Sequence, residues 1–283
     1  MRIGIIGAGR VGVTLGKYLA DAGVDVAGFY SKTKQSAEEA AAFTETKVFE
    51  KLKDIIQASD TLFITTPDNV IGEIWACIAA YNLTGKILCH FSGSLSSDIF
   101  SGIENTGAVG CSIHPMYAFS NRFTSYQQFN TACFVAEGES AAREPMEQLF
   151  RDMGHQVFCI RAEDKVKYHA AAAMISNDMI ALLQAVLDLL GECGFGESDS
   201  MLLLKPIIRN NVSEMLDKGP MEALTGPVER GDTGTVQRHM EALAGTTAGE
   251  IYNTLGRVLV GIAQRKYPER ENTAMEQLFS PDK

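Results

Sequence analysis

The sequence predicts an N-terminal α/β domain with a doubly wound parallel sheet over residues 1–160, followed by an all-α domain over residues 161–283. In the first part, short runs of β-branched residues alternate with helical stretches. This alternation is typical of parallel β-α-β units whose sheet is covered on both faces. After about residue 162 no further strand is predicted, and apolar residues recur at helical spacing.

The elements follow one another in a regular order. The predicted strands are residues 2–6, 24–30, 61–66, 86–91, 107–113, 131–137 and 155–160. The predicted helices between them begin near residues 11, 35, 69 and 141. The second domain is predicted to be helical over 165–190, 199–217, 233–244 and 246–265. The polar tail from Tyr267 onward is expected to be loosely held.

Composition restricts the class of protein. Hydrophobic residues make up 46% of the chain, yet no apolar run reaches the ~20 residues of a membrane span, and the N-terminus lacks a signal-peptide pattern. We therefore expect a cytoplasmic protein without a membrane partner. The net charge of −10 argues against nucleic acid as a partner. The six cysteines are widely spaced and form no C-x-x-C, so no metal site is predicted.

A phosphate-binding turn precedes the first helix and consists of Gly7, Ala8, Gly9, Arg10, Val11 and Gly12. This G-x-G-x-x-G follows a strand and opens a helix, which is the context of a dinucleotide site in a Rossmann fold. Gly7 permits the tight turn, Gly9 lets the backbone approach a pyrophosphate, and Gly12 allows helix and strand to pack closely. The helix N-terminus offers N–H groups and a partial positive charge.

The end of the second strand favours NADP(H) over NAD(H). NAD enzymes usually place Asp or Glu there to bond the ribose 2′-hydroxyl, whereas this strand ends in Tyr30, Ser31 and Lys32. A hydroxyl, the ammonium groups of Lys32 and Lys34 and nearby Arg10 would suit a 2′-phosphate instead. The alternative, a surface lysine on a solvated loop, applies mainly to Lys34.

Two further strand ends carry small and polar residues. Thr66 and Pro67 are predicted to line the cofactor, and Asp68 or Asn69 is predicted to cap the following helix. After the next strand comes a turn of small residues that can bring N–H groups and hydroxyls against a ligand, formed by Ser92, Gly93 and Ser94. Ser92 and Gly93 are assigned to the cofactor and Ser94 to the substrate.

Histidines occupy two neighbouring strand ends. His90 ends one predicted strand and His114 the next, where Pro115 stiffens the chain that follows. Either histidine alone could be structural. Together they indicate that at least one faces the substrate, and we assign His90 to substrate binding and His114 to catalysis.

The first long helix of the second domain carries a polar stripe among alanines. At ~100° per residue, Lys165, His169, Ala173, Ser176 and Ile180 share one face, and Asn177 flanks it. The stripe leaves room for another helix or for a ligand.

A later turn contributes one more candidate. Arg230 would bind a substrate carboxylate through a bidentate guanidinium, or else form a structural ion pair. Asp232 or Thr233 is predicted to cap the helix that follows. His239 is interpreted as a residue of the helix surface.

The chain resembles the β-hydroxyacid dehydrogenase-like superfamily, which includes ketopantoate reductase, pyrroline-5-carboxylate reductase and prephenate dehydrogenase. It is most similar to a branch of NADP oxidoreductases with a helical C-terminal domain of unknown function. The motifs that carry the resemblance are "GIIGAGRVG", "TTPDNVI", "HFSGSLSSD", "IHPMYAF", "YHAAAAMISN" and "ALTGPVERGD".

The resemblance implies hydride transfer between NADP(H) and a small substrate at a domain cleft. It also implies a helical domain of the 6-phosphogluconate dehydrogenase C-terminal type and a homodimer formed through it. Members of the superfamily carry a catalytic lysine four residues before an asparagine. Asn177 matches that asparagine, but Ala173 stands at the lysine position. His169 lies one helical turn earlier and could substitute for the lysine, and Lys165 lies one turn earlier again. In such folds this helix borders the cleft, so we favour a ligand over helix packing, with His169 as the proton donor and Asn177 holding a substrate oxygen.

We therefore predict an NADP(H)-dependent oxidoreductase that acts on a small carbonyl or imine compound, with or without a carboxylate. A prephenate-type dehydrogenase is one alternative. A non-catalytic NADP(H)-binding sensor or scaffold is another, and the missing lysine makes it credible.

Overall fold

The computed structural model describes residues 1–280, and the chain forms two compact units. The first unit spans Met1–Ser176, and the second begins at Asn177. The first unit extends beyond the predicted boundary near residue 160. It does so because the helix that begins at Lys165 bonds to the sheet through the side chains of Lys165 and Tyr168.

An eight-stranded sheet forms the centre of the first unit, in the order β3-β2-β1-β4-β5-β6-β7-β8. All neighbouring strands are parallel except β6 and β7. The strands are β1 (Arg2–Ile6), β2 (Asp25–Tyr30), β3 (Lys47–Val48), β4 (Thr61–Ile64), β5 (Ile87–His90), β6 (Val109–Met116), β7 (Cys133–Gly138) and β8 (Val157–Cys159).

Six α-helices belong to this unit: α1 (Arg10–Asp21), α2 (Lys34–Thr44), α3 (Leu52–Ala58), α4 (Asp68–Ile78), α5 (Ser140–Asp152) and α6 (Lys165–Ala173). Alternate residues of the strands face two separate cores. Ile5 and Phe63 pack with α1, α2 and α5, whereas Ile6 and Ile64 pack with α3 and α4. This period of two, with apolar residues on both faces, confirms the predicted α/β sheet covered on both sides.

The structure differs from the predicted all-parallel sheet at β7, which runs antiparallel to β6, with His114 paired to Val135. The connection from β6 to β7 contains only a short 3₁₀ helix, Ser125–Thr131, and no α-helical crossover. A parallel return needs such a crossover, so the chain turns back antiparallel instead. β3 and α3 were not predicted, because β3 has only two residues and α3 only seven.

The second unit is helical. A π-helical segment, Met174–Asp178, links α6 to α7 (Met179–Glu192), and α8 (Glu197–Ala223) is interrupted at Gly219. The remaining helices are α9 (Pro227–Arg230), α10 (Thr233–Ala242), α11 (Thr247–Lys266) and α12 (Thr273–Leu278). The carboxylate of Asp232 accepts from the Thr235 N–H at 3.0 Å, which confirms it as the predicted cap of α10.

The tail beyond Tyr267 is more ordered than predicted. Met275 and Phe279 are buried in the core of the second unit beside Val228, Val236 and Val260. A loosely held tail is therefore the wrong interpretation up to Ser280. Residues 281–283 lie outside the described part of the chain.

Candidate functional site

A glycine turn joins β1 to α1 at the carboxyl edge of the sheet. Gly7 has a φ of +115°, a backbone conformation that residues with a Cβ rarely adopt. Its N–H donates to the Tyr30 carbonyl at 2.8 Å and ties the turn to the end of β2. A Cβ on Gly12 would lie 2.2 Å from the Gly7 carbonyl oxygen. Only glycine therefore lets α1 begin this close to the strand.

Thr65, the residue after β4, stabilises the same turn through hydrogen bonds, and this role was not predicted. Its buried hydroxyl donates to the Gly7 carbonyl at 2.8 Å, and its N–H donates to the Ile6 carbonyl at 2.9 Å. The predicted residue Thr66 follows it, with an Oγ1 that is buried and has no hydrogen-bond partner within residues 1–280. The sequence signal was the pair of threonines, but it does not tell which of them points at the turn.

The N-terminus of α1 forms an open cradle. Gly9 is its N-cap, and a Cβ built there would meet no protein atom within 4 Å. The first turn of α1 has no acidic residue, and its N–H groups lack partners inside the helix and carry a partial positive charge. These features fit the diphosphate of a dinucleotide.

Two cations flank this cradle in the sequence. Arg10 is the first residue of α1, and Lys32 lies two residues beyond the end of β2. Both are exposed, and neither forms an ion pair with any residue in the range 1–280. Lys34, in contrast, lies 2.5 Å from a Glu50 carboxylate oxygen. Arg10 and Lys32 are therefore available to an anionic ligand, whereas Lys34 is neutralised locally.

The other predicted cofactor residues differ in accessibility. Gly7, Ala8, Gly12, Ser92 and Gly93 are buried, Val11, Tyr30, Ser31 and Thr66 are half-buried, and Pro67 is exposed.

Asp68 connects two strand ends rather than capping α4. The N-cap is Pro67, and Asp68 is the first helical residue, so the predicted cap at Asp68 or Asn69 is wrong. The Asp68 carboxylate accepts from the hydroxyls of Ser92 at 2.7 Å and Ser94 at 2.9 Å. It thereby holds the turn that follows β5 against the start of α4.

His90 has no free ring nitrogen. Its Nδ1 accepts from the Ser92 N–H at 3.2 Å, so Nε2 carries the proton and donates to the Ser96 carbonyl at 3.1 Å. The side chain is 0% exposed, and burial lowers its pKa from 6.5 to about 4. The structure thus gives His90 a role in shaping the Ser92–Ser96 turn. Contact with a substrate would require these bonds to break.

Lys165 lies beneath the same turn and is only 1% exposed. Its Nζ donates to the Ser92 carbonyl at 2.7 Å and to the Ser112 hydroxyl. Burial lowers its pKa from 10.5 to about 8, although the charge of Glu137 opposes this shift. No carboxylate of residues 1–280 forms an ion pair with this buried ammonium. Such a charge is costly to bury, which makes Lys165 a candidate functional residue.

His114 and His169 meet at Gly93. A Cβ on Gly93 would lie 2.3 Å from Cδ2 of His169 and 2.9 Å from Nε2 of His114. The two imidazole centroids are 6.0 Å apart. Nδ1 of His114 is bonded to the Tyr168 hydroxyl at 2.7 Å. The structure therefore brings together three predicted residues, and it adds Tyr168, which the sequence did not single out.

The environment keeps His114 neutral. Burial, together with the charges of Lys165 and His169, lowers its pKa from 6.5 to about 4. At neutral pH it can donate or accept a hydrogen bond through Nε2, but it carries no proton that it could readily release. If a proton is delivered at this site, it must therefore come from a different group.

Asn177 and Arg230 belong to the second unit, and their roles stay predictions. Asn177 lies in the π-helical segment, a distortion that often occurs at functional sites. Arg230 is the last residue of α9 and is exposed. Its guanidinium forms no ion pair with any residue from 1 to 280.

The second unit also contains an apolar cavity of about 350 Å³. Residues of α7 and α11 form most of its wall, and the majority of these are leucine, valine, isoleucine or alanine. His239, interpreted as a surface residue, lines the cavity and is bonded through Nδ1 to the Tyr252 hydroxyl at 3.0 Å.

Two family models match separate parts of the chain. Residues 1–115 match the model of a Rossmann-like domain, and residues 132–259 match that of a domain of unknown function, DUF2520. No curated protein sequence matches the chain.

Solved structures share the fold over almost the whole chain. Protein TM1727 from Thermotoga maritima is 24% identical, with a TM-score of 0.74 over 93% of this chain and 99% of that chain. A Bacteroides fragilis protein, BF3122, provisionally assigned as an NADP oxidoreductase, is 22% identical, with a TM-score of 0.70 over 92% and 98%. A reductive aminase from Aspergillus terreus, in complex with NADPH and ethyl-5-oxohexanoate, is 15% identical, with a TM-score of 0.68 over 99% of both chains. At these identities the likeness establishes a shared fold.

Proposed function

We propose that this chain is an NADP(H)-dependent oxidoreductase that transfers hydride to or from a small carbonyl or imine compound. One observation carries the proposal. A dinucleotide-type glycine turn and a pair of converging histidines both lie at the carboxyl ends of strands of the same sheet. In open α/β sheets, ligands bind at the carboxyl ends of the strands. The reductive aminase with the same fold binds NADPH and a keto compound, which supports this substrate class.

The choice of NADP(H) rests on charge. Arg10 and Lys32 have no ion-pair partner within the described residues, and β2 ends at Tyr30 and Ser31 without a carboxylate. A 2′-phosphate would form ion pairs with both cations. The two side chains would also supply local positive potential in a protein of net charge −10. An NAD-type site would instead need an acceptor for the 2′-hydroxyl.

Each candidate residue receives a distinct role. The dinucleotide, when bound, supplies or accepts the hydride. His169 delivers the proton to the substrate oxygen or nitrogen, and neutral His114 positions the reacting group through Nε2. Thr66 and Pro67 line the cofactor. Asn177 is assigned to a substrate heteroatom and Arg230 to a carboxylate, if the substrate carries one.

Turnover tests this function. Purified protein with NADPH and a panel of oxo acids, ketones and cyclic imines should consume NADPH at 340 nm with at least one compound. His169→Ala should lower kcat by about 100-fold or more, in line with loss of general acid catalysis. His239→Ala, which removes a histidine of the second unit, is the matched control and should retain activity. Tight NADPH binding without any turnover would support a non-catalytic NADP(H)-binding protein instead.

We also propose that a second copy of the chain covers α7 and α8. No residue of α7 is buried, and large apolar side chains more than half exposed line both helices, namely Ile180, Leu202, Leu203, Ile207 and Leu216. Patches of this kind mark interaction surfaces, and soluble oligomers are most often symmetric dimers.

Sedimentation should therefore give twice the 30.7 kDa mass of the chain. Leu202→Glu should shift the protein to a monomer. Phe158→Glu, at a similarly exposed apolar residue of the first unit, should leave the mass doubled. A monomeric wild-type protein at micromolar concentration would contradict the proposal.

One helical stretch, Ala162–Glu192, is long and apolar enough by length and composition to cross a membrane. Its first turns contain Lys165 and Tyr168, which bond to the sheet of the first unit. We propose that the apolar surface of this stretch faces the second copy and that the protein is cytoplasmic.

A further inference from the structure

Tyr168 contacts a predicted catalytic residue but has no assigned role. It precedes His169 on α6, and its hydroxyl lies 2.7 Å from Nδ1 of His114. The two rings meet edge to face, with centroids 5.6 Å apart and an interplanar angle of 82°. Lys165, one turn earlier on α6, bonds to Ser112 of β6 and to the Ser92 carbonyl. This anchoring of α6 and the bond to His114 together fix the position of the Tyr168 hydroxyl.

The direction of this hydrogen bond follows from the available partners. Burial raises the pKa of Tyr168 to about 12, so the hydroxyl keeps its proton. Within the described chain, that O–H has no acceptor other than Nδ1 of His114. If Nδ1–H donated to the tyrosine instead, the tyrosine proton would be left without a protein partner, whereas Nε2 has no partner among residues 1–280 in either arrangement. Donation by Tyr168 is therefore the better satisfied arrangement.

We propose that Tyr168 is a positioning residue that holds His114 as the neutral tautomer protonated on Nε2. The proposal rests on the proposed function in one respect, because the substrate atom is the group that Nε2–H would meet. Nε2 lies beside Gly93, on the side where His169 also approaches. In this arrangement His114 donates a hydrogen bond to the carbonyl oxygen or imine nitrogen.

Two groups then divide the work at the reacting heteroatom. A neutral imidazole can polarise a C=O or C=N bond by donating a hydrogen bond without releasing its proton. The charges around it favour this state, because Lys165 and His169 disfavour a second proton on His114, although Asp68 opposes them. His169 donates the proton that is transferred to the heteroatom. The wrong tautomer would turn an N–H donor toward Tyr168 and a lone pair toward the substrate.

Nitrogen-15 spectroscopy tests the tautomer without cofactor or substrate. The full-length protein, labelled with ¹⁵N-histidine, should show His114 with Nε2 protonated at pH 7.5, and a His114→Asn variant assigns its signals among the five histidines. Tyr168→Phe keeps the ring and removes the hydroxyl, so it should shift His114 toward a mixture of tautomers. An Nδ1–H tautomer in the wild type, or an unchanged tautomer in Tyr168→Phe, would overturn the proposal.

A kinetic comparison separates positioning from packing. Tyr117→Phe is the matched control, because its hydroxyl also makes one hydrogen bond in the first unit, to the Ser125 carbonyl at 2.9 Å. Tyr168→Phe should lower kcat by about tenfold and leave KM within about twofold, whereas Tyr117→Phe should change neither. Equal effects in the two variants would reduce Tyr168 to a structural residue. If the wild type proves inactive, the proposed function fails, and the tautomer measurement alone decides the present proposal.

Discussion

Replacing Gly9 by alanine should weaken NADPH binding by tenfold or more while leaving the protein as stable as the wild type. The backbone of Gly9 is extended, so alanine fits there without strain, and its Cβ would meet no protein atom within 4 Å. The only group that this Cβ would displace is a ligand bound against the N-terminus of α1. A tenfold loss corresponds to about 1.4 kcal/mol of binding free energy. Fluorescence titration and thermal unfolding measure the two quantities.

Two matched variants define what the result means. Lys32→Ala should weaken NADPH binding but leave NADH binding nearly unchanged, because it removes only the proposed contact with the 2′-phosphate. Gly9→Ala should weaken both dinucleotides, because the diphosphate is common to them. If Lys32→Ala weakened both equally, the choice of NADP(H) would be wrong. If Gly9→Ala bound both as tightly as the wild type, the dinucleotide site itself would lie elsewhere.

Gly12→Ala separates the effect of a distorted turn on stability from the effect of a blocked ligand site on binding. Its Cβ would lie 2.2 Å from the Gly7 carbonyl oxygen and 2.5 Å from the Thr65 hydroxyl. The variant should therefore lose stability as well as binding, whereas Gly9→Ala should lose only binding. The two glycines look equivalent in the motif, and the structure separates one that packs against protein from one that faces the ligand.

Local patterns were sufficient to predict most of the fold. Apolar runs such as residues 61–64 and the alternation between two cores identify strands, because burial on both faces leaves few polar positions. β3 escaped prediction since its two residues are exposed and carry no pattern. The antiparallel β7 escaped it because strand direction depends on the connection rather than on the strand.

Long-range contacts account for what the sequence could not show at the site. The stripe containing Lys165 was visible at helical spacing, but its partners Ser92 and Ser112 lie 73 and 53 residues away. His90 seemed as suited to a substrate as His114, and only the bonds to Ser92 and Ser96 separate them. Asp68 carried a capping pattern, yet its carboxylate turns to two serines of another strand end.

Lys165→Met should change the pH dependence of stability in a defined direction. In the folded protein the amine loses its proton near pH 8, and in the unfolded chain near 10.5. Between these values the unfolded state binds one more proton, so the free energy of unfolding of the wild type rises with pH. Below pH 8 the full cost of the buried charge applies. Methionine has a similar shape and no charge, so its variant lacks this rise.

The measurement is urea unfolding of both proteins between pH 7 and pH 10. The wild type should gain roughly 2.5 kcal/mol relative to Lys165→Met over this range, because stability rises by about 1.4 kcal/mol for each pH unit between the two pKa values. Lost hydrogen bonds to Ser92 and Ser112 add an offset that does not vary with pH. Lys53→Met, at an exposed lysine of α3, is the control and should show no such trend. A flat difference for Lys165→Met would mean that its amine titrates like an exposed one.

The rise of stability with pH indicates that Lys165 is not kept for its contribution to stability at neutral pH. At neutral pH a buried ammonium lowers stability, and its partners are a carbonyl and a hydroxyl rather than a carboxylate. What it provides is position: it holds the Ser92 carbonyl, and with it Gly93, at the point where His114 and His169 converge. Lys165→Met should therefore lose turnover at pH 7 even if it unfolds at higher urea. A variant more stable than the wild type and equally active would leave the buried charge without a function in this site.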